Sequence, residues 1–305
     1  MQKSPPGLFD YTLLIALALM WGAAFLWSKI AVAEVAPVTI TLARQSIAAV
    51  LLVGFAIGAR RWFVPTVRDH LFMIICALAG TVVPFTLINW GVEVIDSGLA
   101  SILMGSMPLT VLVMAHFLTP DEKMSLPKVG GVILGLIGLG ILFWPQLQAG
   151  FGEDLIRQLA VLGAAFAYAV NALSTKQLVR HPPMALIAYI SLWTLAILVP
   201  MVFLFDAPIP TSLSAHVVFA LAGLGVISSA AGALVMVTII RRQGATFFGQ
   251  INLLIPIAGV MLAVIFLGER PGLNALAALA VIFCALLVAR IKPSAKTPMP
   301  QESHP

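Results

Sequence analysis

Chemistry in this sequence is to be sought in the polar and aromatic side chains that recur at helical spacing inside long apolar runs. Trp21, Phe25, Ser28 and Lys29 fall at i, i+4, i+7 and i+8, on one face of a helix. Tyr168, Asn171 and Thr175 share a face at i, i+3 and i+7. A ring with a polar handle stacks flat apolar groups and still hydrogen-bonds, so Trp21 and Tyr168, each near the middle of its run, are candidate cavity residues. The alternative for both is plain packing between helices. Thr81, Asn89, Met104, Ser229 and Asn252 extend the candidate lining. For Asn252 a ligand contact and an ordinary interhelical hydrogen bond stand level. Lys29 and Arg44 are the two basic residues inside apolar runs. Either could attract a substrate carboxylate or pair with Glu34 or Glu93 to hold a gate; for Lys29, snorkelling or gating is expected ahead of direct binding. Arg44, about two turns inside its run at 1.5 Å per residue, is expected to pair with an acid, Glu34 or Glu93.

Other chemistry is missing. Asp10, Glu34, Glu93, Asp96, Asp121, Glu122, Glu153, Asp154, Asp206 and Glu269 all lie at the ends of apolar runs or between them. No paired Asp, Ser–His or Glu–His set falls inside a run, and no His, Cys or carboxylate cluster has metal-ligand spacing. Neither an enzyme, a metal centre nor a cofactor is expected.

The elements that must position these residues follow from composition. Of 305 residues, 61% are hydrophobic and 10% charged, with a mean hydropathy of +1.06, against about 25% charged in a soluble domain. Lipid accepts such a chain, so its length divides into spans of ~20 residues. Ten runs of that kind fall at about 11–33, 37–58, 71–93, 96–118, 127–144, 155–179, 183–205, 214–240, 246–267 and 272–290, separated by short Pro-, Gly- or charge-bearing breaks. The first run is too long for a typical signal-peptide core and is read as a retained helix. Of 17 Lys and Arg, 13 lie on the side of the N-terminus, 2 on the other and 2 within runs. That bias puts both termini in the cytoplasm. It also explains the net charge of +5 without nucleic acid, whose binders gather basic residues into one patch.

The sequence also repeats itself. Pro108 is followed thirteen residues later by Asp121, and Pro256 thirteen residues later by Glu269. At an offset of 147, Trp21 meets Tyr168, Ser28 meets Thr175 and Lys29 meets Lys176; at 148, Thr81 meets Ser229. Five spans per copy is an odd number, so the second copy enters the membrane inverted. The expected fold is therefore an all-α membrane protein of ten helices in two inverted five-helix repeats, residues 11–144 and 155–290. A cytoplasmic segment 1–10, a connection 145–154 and a disordered tail 291–305 complete it. Pro108 and Pro256 are expected to kink their helices, and Asp121 and Glu269 to close structural acidic turns.

Over residues 11–290 the sequence resembles the EamA family of the drug/metabolite transporter superfamily. The resemblance rests on Trp21-Gly22-Ala23-Ala24-Phe25 with Lys29, on Arg44, on Pro108 with Asp121-Glu122, and on Pro256 with Leu267-Gly268-Glu269-Arg270. Within that family it is most similar to exporters of aromatic amino acids. The resemblance implies alternating access around a central cavity, in a multi-pass protein of a bacterial inner membrane. The implied partners are a small-molecule substrate and lipid, and the chain is expected to be a monomer or a weak homo-oligomer. Without a deep carboxylate to relay protons, facilitated export is the expected mode. A proton-coupled multidrug or nucleobase exporter and a channel remain open alternatives.

Overall fold

The computed structural model describes residues 5–60, 62–119, 123–149, 152–206 and 212–291. The regular structure among these residues is helical, with no strand. Among the described residues, nine helices are apolar and long enough to cross a membrane: α1 (Leu8–Ala31), α2 (Pro37–Gly58), α3 (Val67–Val94), α4 (Ser97–Leu118), α5 (Leu126–Pro145), α6 (Glu153–Leu178), α7 (Pro183–Phe205), α8 (Ala215–Gln243) and α9 (Ala245–Leu267). A shorter apolar helix, α10 (Leu273–Ala289), follows. At 1.5 Å per residue its 17 residues reach about 25 Å, less than the ~30 Å hydrocarbon core.

Local chemistry sets the helix ends. Helix α1 begins at Leu8, ahead of the expected Tyr11, because the Asp10 carboxylate accepts from the Gly7 amide at 3.0 Å and so closes the first turn. Helix α3 opens with a capping box. Its Thr66 amide donates to Asp69 at 2.9 Å, and the Asp69 amide donates back to the Thr66 hydroxyl at 3.2 Å. Beyond the expected end at 144, helical structure continues through Pro145 to Ala149.

Two helices are locally rewound. Leu78–Val82 of α3 and Gly223–Ala231 of α8 are π-helical. Such segments release backbone groups from the α ladder and are frequent at functional sites. In α8 the Ser228 carbonyl accepts from the Trp21 indole at 3.1 Å, and its hydroxyl donates to the Met20 carbonyl at 2.6 Å.

Helices from before and after residue 150 interdigitate: α1 lies along α9, α2 along α7 and α8, α3 along α6, and α5 along α10. Small residues permit the closest approaches. A Cβ on Gly22 would stand 2.8 Å from the Cβ of Ala258, and one on Gly131 only 2.7 Å from the Ala285 carbonyl oxygen. The largest buried apolar cluster joins Phe25, Ile88, Leu103, Val161, Val260 and Ile282. Many large apolar side chains, among them Phe55, Leu136, Phe203 and Phe266, point outward, as lipid requires.

The prolines act unequally. Helix α4 breaks into a turn at Gly105–Ser106, immediately before Pro108. Pro256 lies within an unbroken helical stretch, Ile251–Leu267, and the interruption of α9 falls earlier, at Gly249–Gln250.

Candidate functional site

Arg44 occupies the centre of the arrangement. It is 5% exposed in α2, and the expectation of a carboxylate partner fails: its Nε and Nη2 donate to the Ser229 hydroxyl at 3.1 and 2.9 Å. Ser229 sits in the π-helical part of α8. The face of the guanidinium lies 3.6 Å from the centroid of the Phe85 ring, a cation–π contact. Tyr168 meets that ring edge to face at 6.3 Å. Asn171, one turn along α6, packs where Gly80 leaves room in the π-helical turn of α3; a Cβ on Gly80 would come within 2.8 Å of its amide. Thr81 is half-buried in the same turn. Helices α2, α3, α6 and α8 thus bring Arg44, Phe85, Tyr168 and Ser229 together, with Asn171 one turn along α6.

Trp21 and Tyr168 have different surroundings and make no ring contact with each other. Trp21 packs edge to face on Phe248 at 6.0 Å, with its indole nitrogen held by Ser228. Phe25 is buried, and Met104 is half-buried against the same cluster.

Asn89 is tied down between helices. Its amide donates to the Thr41 hydroxyl at 3.1 Å and the Pro37 carbonyl at 3.3 Å, while its Oδ1 has no partner. Asn252 bonds locally to the Gly249 carbonyl at 3.3 Å.

Lys29 pairs with neither Glu34 nor Glu93. Its Nζ donates to the carbonyls of Val92 and Ile95, at 2.8 and 3.0 Å, where the end of α3 leaves acceptors free. Glu93 is engaged instead by Arg157 at 2.5 Å, and Arg157 also reaches Glu153 at 2.7 Å and lies over the Trp90 ring. Glu34 accepts from the Ser214 amide at 2.8 Å, and this bonding holds its carboxyl below the usual range.

Glu269 does more than close a turn. Its Oε1 accepts from the amide and hydroxyl of Ser97, at 2.8 and 2.6 Å, and its Oε2 from the Gly98 amide at 2.9 Å. It therefore caps the N-terminus of α4 across 172 residues of sequence. Beside it lies a cavity of about 150 Å³ lined by Asp96, Leu99, Leu142, Val260 and Asn274. Desolvation and the neighbouring Glu269 raise the Asp96 carboxyl above its ordinary value. Asp121 and Glu122 lie outside the described residues.

Phe85 was not among the sequence candidates. Its signal is spacing: it stands four residues from both Thr81 and Asn89.

The nine apolar helices among the described residues, packed through small residues with polar contacts turned inward, make this a multi-pass membrane protein. The chain belongs to the EamA-like transporter family, whose model matches residues 8–144 and again 155–291. It is similar to the transporter YoaV of Bacillus subtilis (strain 168), at 24% identity over 90% of this chain and 94% of YoaV. It is also similar to the probable terminal-alkyne amino-acid exporter of Streptantibioticus cattleyicolor, at 26% identity over 85% of each, and to protein PagO of Salmonella typhimurium, at 24% over 82% of each. A solved crystal structure shares the fold, with a TM-score of 0.63 over 92% of this chain and 97% of that one, at 18% identity. The chain is a membrane transporter, not an enzyme.

Proposed function

We propose that this transporter exports small amphiphilic metabolites, aromatic or other neutral amino acids foremost. On this reading substrate moves by alternating access through a path between two inverted five-helix repeats, with both termini in the cytoplasm of a bacterial inner membrane. The observation that carries the proposal is the polar region around Arg44. It draws α2 and α3 from the first family match and α6 and α8 from the second. Substrate sites of inverted-repeat carriers lie at such repeat interfaces. An amino-acid exporter among the relatives supports the substrate class.

Transport is facilitated, down the substrate's own gradient. The buried carboxylates Asp10 and Asp69 stand in the first turns of α1 and α3, bound to Arg242 and to Arg180 and His181 respectively. Both are engaged at helix ends, away from a mid-membrane proton relay. Counterflow of labelled Phe, Trp, Met and Thr in proteoliposomes tests the proposal, with Trp21→Ala as the companion variant. Saturable counterflow without a pH gradient is expected. Conductance without counterflow would mark a channel, and a strict need for a pH gradient would mark an antiporter.

A further inference from the structure

We infer that Arg44 is the anion receptor of the transport path and takes the carboxylate of the carried molecule. This rests on the export reading above and narrows it to small monocarboxylates with an apolar body. Basic groups elsewhere are either exposed to solvent, as Arg60, Arg68, Arg241 and Arg270 are, or have acceptors suited to their charge. Arg157 has Glu93 and Glu153, Arg180 has Asp69, Arg242 has Asp10, and Lys29 has two helix-end carbonyls. Arg44 is 5% exposed and, among the described residues, is offered one neutral hydroxyl and a phenyl ring.

The geometry points to what is missing. A guanidinium carries five N–H donors in a planar fork. Ser229 takes the Nε–H and one on Nη2, and Phe85 covers a face. The edge formed by Nη1 and the rest of Nη2 meets no acceptor among the described residues. That edge is the bidentate seat of a carboxylate, and an unpaired buried charge is costly until such a partner arrives. The π-helical part of α8 supplies Ser229, and that of α3 holds Gly80 against the Asn171 amide. Tyr168, edge-on to Phe85, adds an aromatic surface for an apolar ligand body. A lipophilic cation has no place beside this group.

The test uses the purified full chain and three probes: 3-phenylpropionate, phenylalanine and phenethylamine. Their effects on the thermal midpoint in detergent are titrated for wild type, Arg44→Met and Arg44→Lys. Both carboxylates are expected to raise the wild-type midpoint and phenethylamine to leave it unchanged. Arg44→Met should weaken carboxylate binding about tenfold or more, the loss expected for a charged hydrogen-bond partner. Arg44→Lys, which keeps the charge but not the fork, should fall between. The wild-type ranking needs no variant, so a misfolded Arg44→Met leaves the test intact. Stabilisation by phenethylamine equal to that by phenylpropionate overturns the inference, as does no response to either carboxylate or unchanged affinity in Arg44→Met. Carboxylates bound through Arg44 without counterflow of any amino acid would sink the amino-acid part of the export reading and leave Arg44 as the carboxylate seat for another monocarboxylate. Counterflow of phenethylamine as fast as that of phenylalanine would do the reverse.

Discussion

Glu269→Ala removes the cap of α4, and the structure sets the size of the effect. Three donors converge on this carboxylate: the Ser97 amide, the Ser97 hydroxyl and the Gly98 amide. Ser97 is fully buried. The hydroxyl can rotate to another acceptor, but the amides cannot. A buried donor left without an acceptor costs about 1–3 kcal/mol, so two give about 2–6 kcal/mol. Glu269 is itself half-buried, which admits some water and places the loss near the lower end, about 2–3 kcal/mol. Glu269→Gln keeps an oxygen for Ser97 but turns an NH2 toward the Gly98 donor. It forfeits a charged hydrogen bond worth about 1.5–3 kcal/mol. The assay is the midpoint of thermal unfolding in detergent, followed by tryptophan fluorescence. A loss of 2 kcal/mol corresponds to roughly 4–8 °C for a chain of a few hundred residues. Glu153→Ala serves as the control, because its side chain is 65% exposed in an i,i+4 pair and should cost under about 0.5 kcal/mol. Midpoints for both Glu269 variants within about a degree of wild type would refute the capping argument.

Gly131→Ala should destabilise by about 1–3 kcal/mol in the same assay, since its Cβ would meet the Ala285 carbonyl and the Ala289 Cβ on α10. Gly54→Ala, with nothing within 4 Å, should be neutral or gain up to about 1 kcal/mol. Asn89→Ala should cost about 0.6–2 kcal/mol, the range for interhelical hydrogen bonds in membranes, and should leave substrate selectivity in counterflow unaltered. The raised carboxyl of Asp96 favours its protonated form in the folded chain. Its contribution is therefore fully present below the ordinary value of 3.8 and is lost as pH rises through the raised value. Asp96→Asn should remove that slope from a pH series of thermal midpoints.

The helices were legible because lipid imposes long apolar runs with charged breaks, and that signal is one-dimensional. Their partners were not. Lys29 reaches carbonyls 63 and 66 residues away, and periodicity carries no information about which helix will stand beside it. The expectation of an acid for Lys29 and for Arg44 followed from charge alone; helix-end carbonyls and a ring face serve as well, and neither is visible in composition. Phe85 is one of 17 phenylalanines, distinguished only once Arg44 lies on it. The matched prolines misled in another way. Pro108 has Gly105 and Ser106 just before it to absorb a turn, whereas Pro256 is preceded by Leu253, Leu254 and Ile255, which keep the helix continuous.

The same end of the bundle is closed by carboxylates set on helix N-termini across the sequence. Asp206 accepts from the Thr39 amide at 2.6 Å in the first turn of α2, Glu34 from the Ser214 amide before α8, and Glu269 from Ser97 and Gly98 at α4. Each adds negative charge where the helix dipole is positive, and Lys29 adds positive charge at the carbonyl end of α3. Their worth is unequal. The Glu34 bond is exposed and screened by water, whereas Ser97 at the Glu269 cap is buried. If the repeats rock apart at this end, the Glu269 cap is the costliest of these bonds to break. Weakening it should therefore favour opening as well as lower stability. On the proposed alternating access, that would link the α4 cap to the Arg44 site: a bound carboxylate would compensate the buried guanidinium, while the cap would set how readily the path opens beyond it.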